Sequence, residues 1–312
     1  MNDLAAAPKA VTDSGHALPV TSLIIASRNR PAMLAETVES VLHGDEVPTE
    51  LIIIDQSAGE QAALARLKSE RECEVRYQWS QSVGLSRARN EGVAAARQGV
   101  LVFIDDDMWV AATWFGALVR ALVEAGPRSV VCGQVQPAER TGAFIPATKI
   151  DKAGAVYTAP GQVDVLYGGH LAVYRSAFDD IGLFDDRLGP GTTFPGGEDS
   201  DFGYRLLSRG YRIVYAPQAV LYHRGWRSDR EYLRLRWNYG LGRGGFYAKH
   251  LSRHNSYAAR RLAADVRNHI VSLPQRMWRE RARAYGDLML VGGILTGAAR
   301  WVLKYGPTHR PR

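Results

Sequence analysis

Along the first two-thirds of the chain, short apolar runs closed by polar or glycine-containing turns alternate with segments of helical spacing. Val20–Ala26 reads as a buried strand, and Pro31 then opens a helical pattern through Val41, a favoured position for proline. Glu50–Asp55 is a second strand, followed by a helix near Glu60–Arg71, a strand at Glu74–Trp79 and a helix from Gly84 to about Gly99. Val100–Ile104 is the next strand and runs directly into Asp105, Asp106 and Asp107. A helix around Thr113–Glu124 and a strand at Ser129–Val135 continue the alternation. Strands of this length separated by helices predict an α/β fold with a mostly parallel sheet flanked by helices.

The pattern then loosens. Pro137–Gly161 has no clear period and reads as a long loop. Gly168-Gly169-His170 precedes a helical segment at Ser176–Ile181. A glycine-rich stretch, 189–197, leads into Glu198-Asp199-Ser200-Asp201, and helical spacing resumes at Phe202, Leu206 and Leu207. Tyr211–Tyr215 and Ala219–Tyr222 read as two short strands, the second delivering His223. From Asp229 onward Trp, Tyr, Leu and Arg recur at helical spacing. The expected organisation is a disordered leader (1–18), an α/β domain (19–225) and a basic helical extension (226–312).

Composition narrows the class. Apolar and charged fractions of 46% and 23% are those of an ordinary water-exposed protein. Cys73 and Cys132 form no disulfide framework and have no metal-ligand spacing, which favours a reducing compartment. The first residues lack the basic and apolar regions of a signal peptide, and Leu288–Leu295 is short and diluted by glycine as a bilayer span. A cytoplasmic location is therefore expected. Charge adds a refinement: from Arg224 on there are 19 basic and 5 acidic residues, a balance of +14, leaving −7 for the preceding 223. A basic tail on an acidic body points to phosphates or to an anionic lipid surface, hence to peripheral attachment at the inner face of a membrane.

Three adjacent aspartates at the end of a buried strand concentrate negative charge at the carboxyl edge of a sheet, where open α/β folds bind ligands. Carboxylates are hard oxygen donors suited to Mg²⁺ or Mn²⁺, ions that bridge to substrate phosphates. Taken alone, the same residues read more readily as a solvated acidic turn or a helix N-cap, since Asp is favoured at both.

The wider set removes much of that ambiguity. Ser22–Pro31, Ile52–Ser57, Gly84–Asn90, Phe103–Asp107, Gly197–Asp201 and His223 occur in an order that resembles a family-2 glycosyltransferase of the GT-A fold, over roughly residues 20–225. The resemblance implies an inverting enzyme that uses a nucleotide-diphosphate sugar, with a UDP-sugar favoured, and Mn²⁺ or Mg²⁺ as cofactor. It implies that Asp55 binds the nucleobase and that the segment containing Ala26, Ser27, Arg28 and Arg30 wraps the nucleoside. Gln56 stands where many relatives carry a second acidic residue. Asp105 is implied on the ribose side and Asp107 at the metal, while Asp106 either orients the sugar or is solvated. Arg87 and Arg89 are candidates for stabilising the donor, but on a helix they point apart, so at most one is expected to face it. Asn90 is a candidate local cap. Asp199 is implied as the base that deprotonates the acceptor hydroxyl, supported by Glu198, with Asp201 inseparable from Asp199 at this level. His223 is implied at the metal or diphosphate, and His170 has a weaker claim on the sugar pocket.

Two other classes compete. A sugar-phosphate nucleotidyltransferase shares the sheet but is expected to carry a Gly- and Arg-rich loop with a lysine after the first strand, whereas Ser27–Arg30 is glycine-free. A non-catalytic sugar- or lipid-binding adaptor predicts lost carboxylates, yet all are present. No nucleic-acid motif accompanies the basic tail. Its helices either lie on an anionic membrane, pack on the body, or form a homo-oligomer contact. The expected acceptor is a glycan, a polysaccharide end or a lipid-linked sugar.

Overall fold

The computed structural model describes residues 17–138, 148–160, 165–225, 231–251 and 256–306. The expected leader lies almost wholly outside them. The chain divides into two units: one holds the chain up to Phe184 together with Gly203–Gly225, the other Asp185–Phe202 together with the chain from Trp226 on. The segment bearing Glu198 and Asp199 thus groups with the C-terminal helices, a division not anticipated by a boundary at 225.

The first unit is built on one mixed sheet. Its elements are β1 (Thr21–Ser27), α1 (Pro31–Leu42), β2 (Glu50–Asp55), α2 (Ala62–Ala65), β3 (Glu74–Trp79), α3 (Leu85–Ala95), β4 (Val100–Asp105), β5 (Met108–Val110), α4 (Trp114–Ala125), β6 (Ser129–Pro137), β7 (Ala155–Tyr157), β8 (His170–Tyr174), α5 (Ser176–Ile181) and β9 (Arg212–His223). The order is β3-β2-β1-β4-β8-β6-β9-β5, with β7 on β9. The first four strands are parallel, as βαβ crossovers require. Beyond β4 the sheet is mixed: β8 runs antiparallel to β4 and β6, and β9 runs parallel to β6. Leu23, Ile25, Leu51, Ile53, Val102 and Ile104 are fully or almost fully buried in its core, which explains why their strands read as continuous apolar runs.

Differences from the sequence reading have local causes. The stretch after Pro137 contains β7, and Lys149 bridges Val135, so its described part is only partly loop; 139–147 and 161–164 lie outside the described residues. The two strands expected at 211–215 and 219–222 are one, β9, whose pairing with β6 shifts register between Gly133 and Gln134. Such an irregularity accommodates Pro217, which has no N–H to give a ladder. The helix expected at 60–71 is the single turn α2.

The second unit contains the first turn of α6 (Glu198–Ser208) and the helices α7 (Tyr232–His250), α8 (Tyr257–Arg279) and α9 (Arg281–Tyr305). Helices α7 and α9 approach closely through glycines. A Cβ on Gly240 would lie 2.3 Å from the Leu290 carbonyl oxygen, and one on Gly297 would lie 2.2 Å from that of Leu241. Phe194 stacks edge-on to the buried Trp301 with ring centres 5.0 Å apart. Two buried carboxylates tie the helices together. Asp265 accepts from Arg243 and Tyr247 at 3.0 and 2.7 Å, and Asp287 from Arg236 and His269 at 2.9 Å each and from Arg276.

Candidate active site

At the end of β4 the three aspartates diverge. Pairing of Ala26 with Asp105 brings β1 and β4 to one edge, where Asp105 Oδ1 accepts from Arg89 Nη2 at 3.0 Å. Gly169 makes room for this carboxylate, since a Cβ there would lie 2.0 Å from Asp105 Oδ2. Asp106 turns inward and is fully buried. Its Oδ2 accepts from Ser27 Oγ at 2.6 Å, and Oδ1 lies 2.5 Å from Arg30 Nη2. Burial dominates here: with Asp107 and Asp105 nearby, it pushes the Asp106 carboxyl up to about 7 against the pull of Arg30 and Ser27. Asp107 Oδ2 accepts from Arg30 Nη1 at 3.1 Å, and Oδ1 lies 3.6 Å from His223 Nε2. The β5–β9 register produces that approach, because His223 pairs with Met108 beside Asp107. Arg30 therefore bridges two of the three carboxylates, supplying the positive charge that clustered acids require.

Arg224 was not anticipated. Its Nη2 donates to the Met33 carbonyl at 2.6 Å, to Thr37 Oγ1 at 2.9 Å and to the Asp106 carbonyl at 3.2 Å, while Nη1 pairs with Glu36. It clamps the aspartate turn to α1. Its neighbour in sequence, His223, offered the only hint.

The other expected donor residues occupy the same edge of the sheet. Ala26 and Ser27 are buried at the end of β1, whereas Arg28 is exposed. Asp55, closing β2, is fully buried; Oδ1 accepts from the Ser57 amide and hydroxyl at 3.0 and 2.5 Å, and Oδ2 from Tyr77 at 2.9 Å. Gln56 Nε2 donates to Ser82 Oγ at 2.6 Å, and its Oε1 accepts from the Gly84 amide at 3.0 Å, linking this turn to the start of α3. Arg89 is buried, whereas Arg87 is exposed, as helical spacing requires of residues two apart. Asn90 does not cap α3: it exchanges two bonds with the Phe184 backbone, at 2.8 and 3.0 Å. His170 belongs to the core instead of a sugar pocket. It is fully buried, accepts from Trp114 Nε1 at 2.8 Å, and burial holds its imidazole neutral, down to about 3.

In the second unit, Gly197 at φ 81° turns the chain into α6, whose first turn carries Glu198, Asp199 and Asp201. The structure separates the last two. Asp201 is fully buried, with Oδ1 2.5 Å from Lys249 Nζ and 2.7 Å from His250 Nε2. Lys249 also reaches Asp185 at 2.7 Å, and Arg187 holds Asp185 at 2.5 Å. Burial works to raise the Asp185 carboxyl, but Arg187 and Lys249 outweigh it and hold it at about 2. Asp199 is only partly buried.

Among the described residues no three His, Cys, Asp or Glu side chains are placed to hold a metal ion by themselves. Asp107 with His223 makes a pair of one hard oxygen donor and one imidazole. That pair fits a divalent ion whose remaining ligands are phosphate oxygens and water, Mn²⁺ better than Mg²⁺ because one donor is an imidazole, and does not fit an all-protein cage.

The family described as glycosyl transferase family 2 matches residues 22–182. The uncharacterized glycosyltransferase EpsJ of Bacillus subtilis is 25% identical over 154 residues, 49% of this chain and 44% of its own length. The pre-mycofactocin glycosyltransferase of Mycobacterium tuberculosis is 29% identical over 149 residues, 46% of this chain and 30% of its own. These alignments span less than half the length of either relative. Among solved structures, GalNAc-T7 with UDP, GalNAc and Mn²⁺ superposes with a TM-score of 0.54 at 21% identity, over 77% of this chain and 53% of that one. Staphylococcus aureus TarS 1–349 in complex with UDP-GlcNAc gives 0.52 at 14%, over 91% and 92%. At these identities the likeness is one of fold.

Proposed function

Because the chain belongs to glycosyl transferase family 2, we propose that it transfers a sugar from a nucleoside-diphosphate sugar to an acceptor hydroxyl, with inversion at the anomeric carbon. The observation that carries this reading is the divergence of Asp105, Asp106 and Asp107 at the carboxyl edge of the parallel strands, each held by a different set of partners. Strand ends of this kind bind nucleotides.

Asp105 and Arg89 are assigned to the donor's ribose side. Arg30, already bridging Asp106 and Asp107, is the guanidinium best suited to a diphosphate, whose geometry it matches in two hydrogen bonds. Ala26, Ser27 and Arg28 are assigned to the nucleoside. A carboxylate has about four acceptor positions; Asp55 uses three on Ser57 and Tyr77, which leaves one on Oδ2 for the imide N–H of uracil. A uridine donor is favoured on that chemistry, and UDP or UDP-GlcNAc is bound in the GalNAc-T7 and TarS structures. Asp107 and His223 would hold Mn²⁺ or Mg²⁺, which when bound neutralises negative charge on the departing diphosphate.

Asp199 is the proposed base. It takes the hydroxyl proton as the acceptor oxygen bonds to the anomeric carbon, and the glycosidic electron pair leaves with the diphosphate. Glu198 supports it, and Asp201 is withdrawn from the chemistry by Lys249 and His250. The acceptor class proposed is a glycan, a polysaccharide end or a lipid-linked sugar.

A panel of nucleotide sugars incubated with the protein and Mn²⁺ or Mg²⁺ tests this. Release of nucleoside diphosphate from a uridine donor is expected, with loss of release in excess chelator. Pyrophosphate exchange with a sugar phosphate would establish the nucleotidyltransferase instead. Full turnover in chelator would remove the metal.

A further inference from the structure

The C-terminal helices expose apolar side chains that soluble helices ordinarily bury. In the second half of α8, Ile270, Val271, Pro274, Met277 and Trp278 recur at spacings of three, four, seven and eight, which places them on one stripe. Val271 and Trp278 are 72% and 82% exposed. Only Ala258 and Asp265 of this 23-residue helix are buried. Helix α9 carries a second such stripe: Leu288, Leu295 and Leu303 follow at seven and eight residues, and Leu303 is 87% exposed. An apolar groove of about 430 Å³ lies between α7, α8 and α9, with Leu262, Val302 and Leu303 in its lining.

Charge identifies what covers these stripes. Residues 256–306 contain nine Lys and Arg against three Asp and Glu. Two of the three acids, Asp265 and Asp287, are buried inside the unit in ion pairs that also engage Arg261 and Arg276, and the segment keeps a net charge of +6. Arg279 lies over the Trp278 ring at 5.8 Å, so cation and insertable aromatic are neighbours. A helix of low overall hydrophobicity that exposes Trp, Ile, Val and Met beside arginines such as Arg267 and Arg279 is the kind that lies in a lipid interface. Helix α9 is long and apolar enough by length and composition to cross a membrane. Its close glycine packing on α7 and the buried cluster at Asp287 favour a seat against the bilayer over passage through it.

We propose that the exposed stripes of α8 and α9, with their flanking arginines, dock the protein on the surface of an anionic phospholipid bilayer. The proposal is independent of the transferase reading, because binding is measured without donor or acceptor.

The test is co-sedimentation of the full chain with phosphatidylglycerol-containing vesicles and with pure phosphatidylcholine vesicles, at low and high salt. Binding to the anionic vesicles at least about tenfold stronger than to the neutral ones, and largely reversed by salt, is expected. The triple variant V271D/W278D/L303D should lower anionic-vesicle binding by at least about tenfold with an unchanged Tm, since all three side chains are exposed. If its Tm falls, the charge-only pair R279Q/R281Q replaces it, with a several-fold loss expected. Equal partition to neutral and anionic vesicles, or no binding at low salt, overturns the proposal. So does a stable dimer in solution that V271D/W278D/L303D dissociates, because the stripes would then face a second copy.

Discussion

The two units treat their carboxylates in opposite ways. In the sheet unit, Asp105, Asp106 and Asp107 crowd three acids into one turn and share Arg89, Arg30 and His223 among them, with Arg30 divided between two. In the helical unit, Asp201 is matched by Lys249 and His250, and Asp185 by Lys249 and Arg187. Three adjacent acids at one strand end concentrate negative charge of the kind to which a further positive ligand is proposed to bind. Asp201, fully buried between Lys249 and His250, is a structural tie. The comparison separates, within Glu198–Asp201, the fully buried Asp201 that holds the fold from the partly buried Asp199 proposed as the base.

The largest expected effect breaks the first half of that comparison. Asp107→Ala removes the oxygen donor paired with His223, and ion-supported donor binding should fall about a thousandfold, the scale of several kcal/mol of lost charge stabilisation; titration calorimetry with UDP and Mn²⁺ checks it. Next, Asp201→Asn strips Lys249 and His250 of their shared carboxylate and should cost about 3 kcal/mol of stability, the order seen when one partner of a buried ion pair is lost. Denaturant unfolding measures it, and an unchanged midpoint would remove the structural role. Gly169→Ala sets a methyl against Asp105 and should lower turnover roughly tenfold or more through displacement of that carboxylate, a loss of the scale that misplaced catalytic groups produce.

The smallest effect is one of pH. The Asp106 carboxyl is raised to about 7 in the fold, above its ordinary value, so the folded state holds that proton more tightly than the unfolded chain. Stability of the metal-free protein should therefore fall as pH rises from about 4 to about 7 and level off above. Asp106→Asn should flatten this segment of the profile. A wild-type profile already flat there would show that Arg30 keeps Asp106 ionised throughout.

Legibility from sequence followed the range of the interactions. β1, β2 and β4 were readable because strands buried on both faces are continuous apolar runs, and their closing residues Ser27, Asp55 and Asp105 marked the edge of the candidate site. β8 was not, because Gly168-Gly169 signals a turn and His170–Tyr174 is too short to show a period. The tie between Asp201 and Lys249 joins residues 48 apart, and the Arg224 clamp on Met33 joins residues 191 apart. No local pattern encodes such pairings. Arg87 and Arg89 were separable in principle by helical phase, but which one met an acid depended on where β4 lay.

Donor affinity and transfer rate measured side by side for Asp199→Asn test most directly the proposal that Asp199 removes the acceptor proton and takes no part in donor binding. Affinity for the nucleotide sugar with Mn²⁺ should stay within about twofold of the unsubstituted protein, while transfer falls roughly a hundredfold or more, the scale of lost general-base help. Parallel loss of binding and transfer, or transfer left intact, would contradict that division of labour.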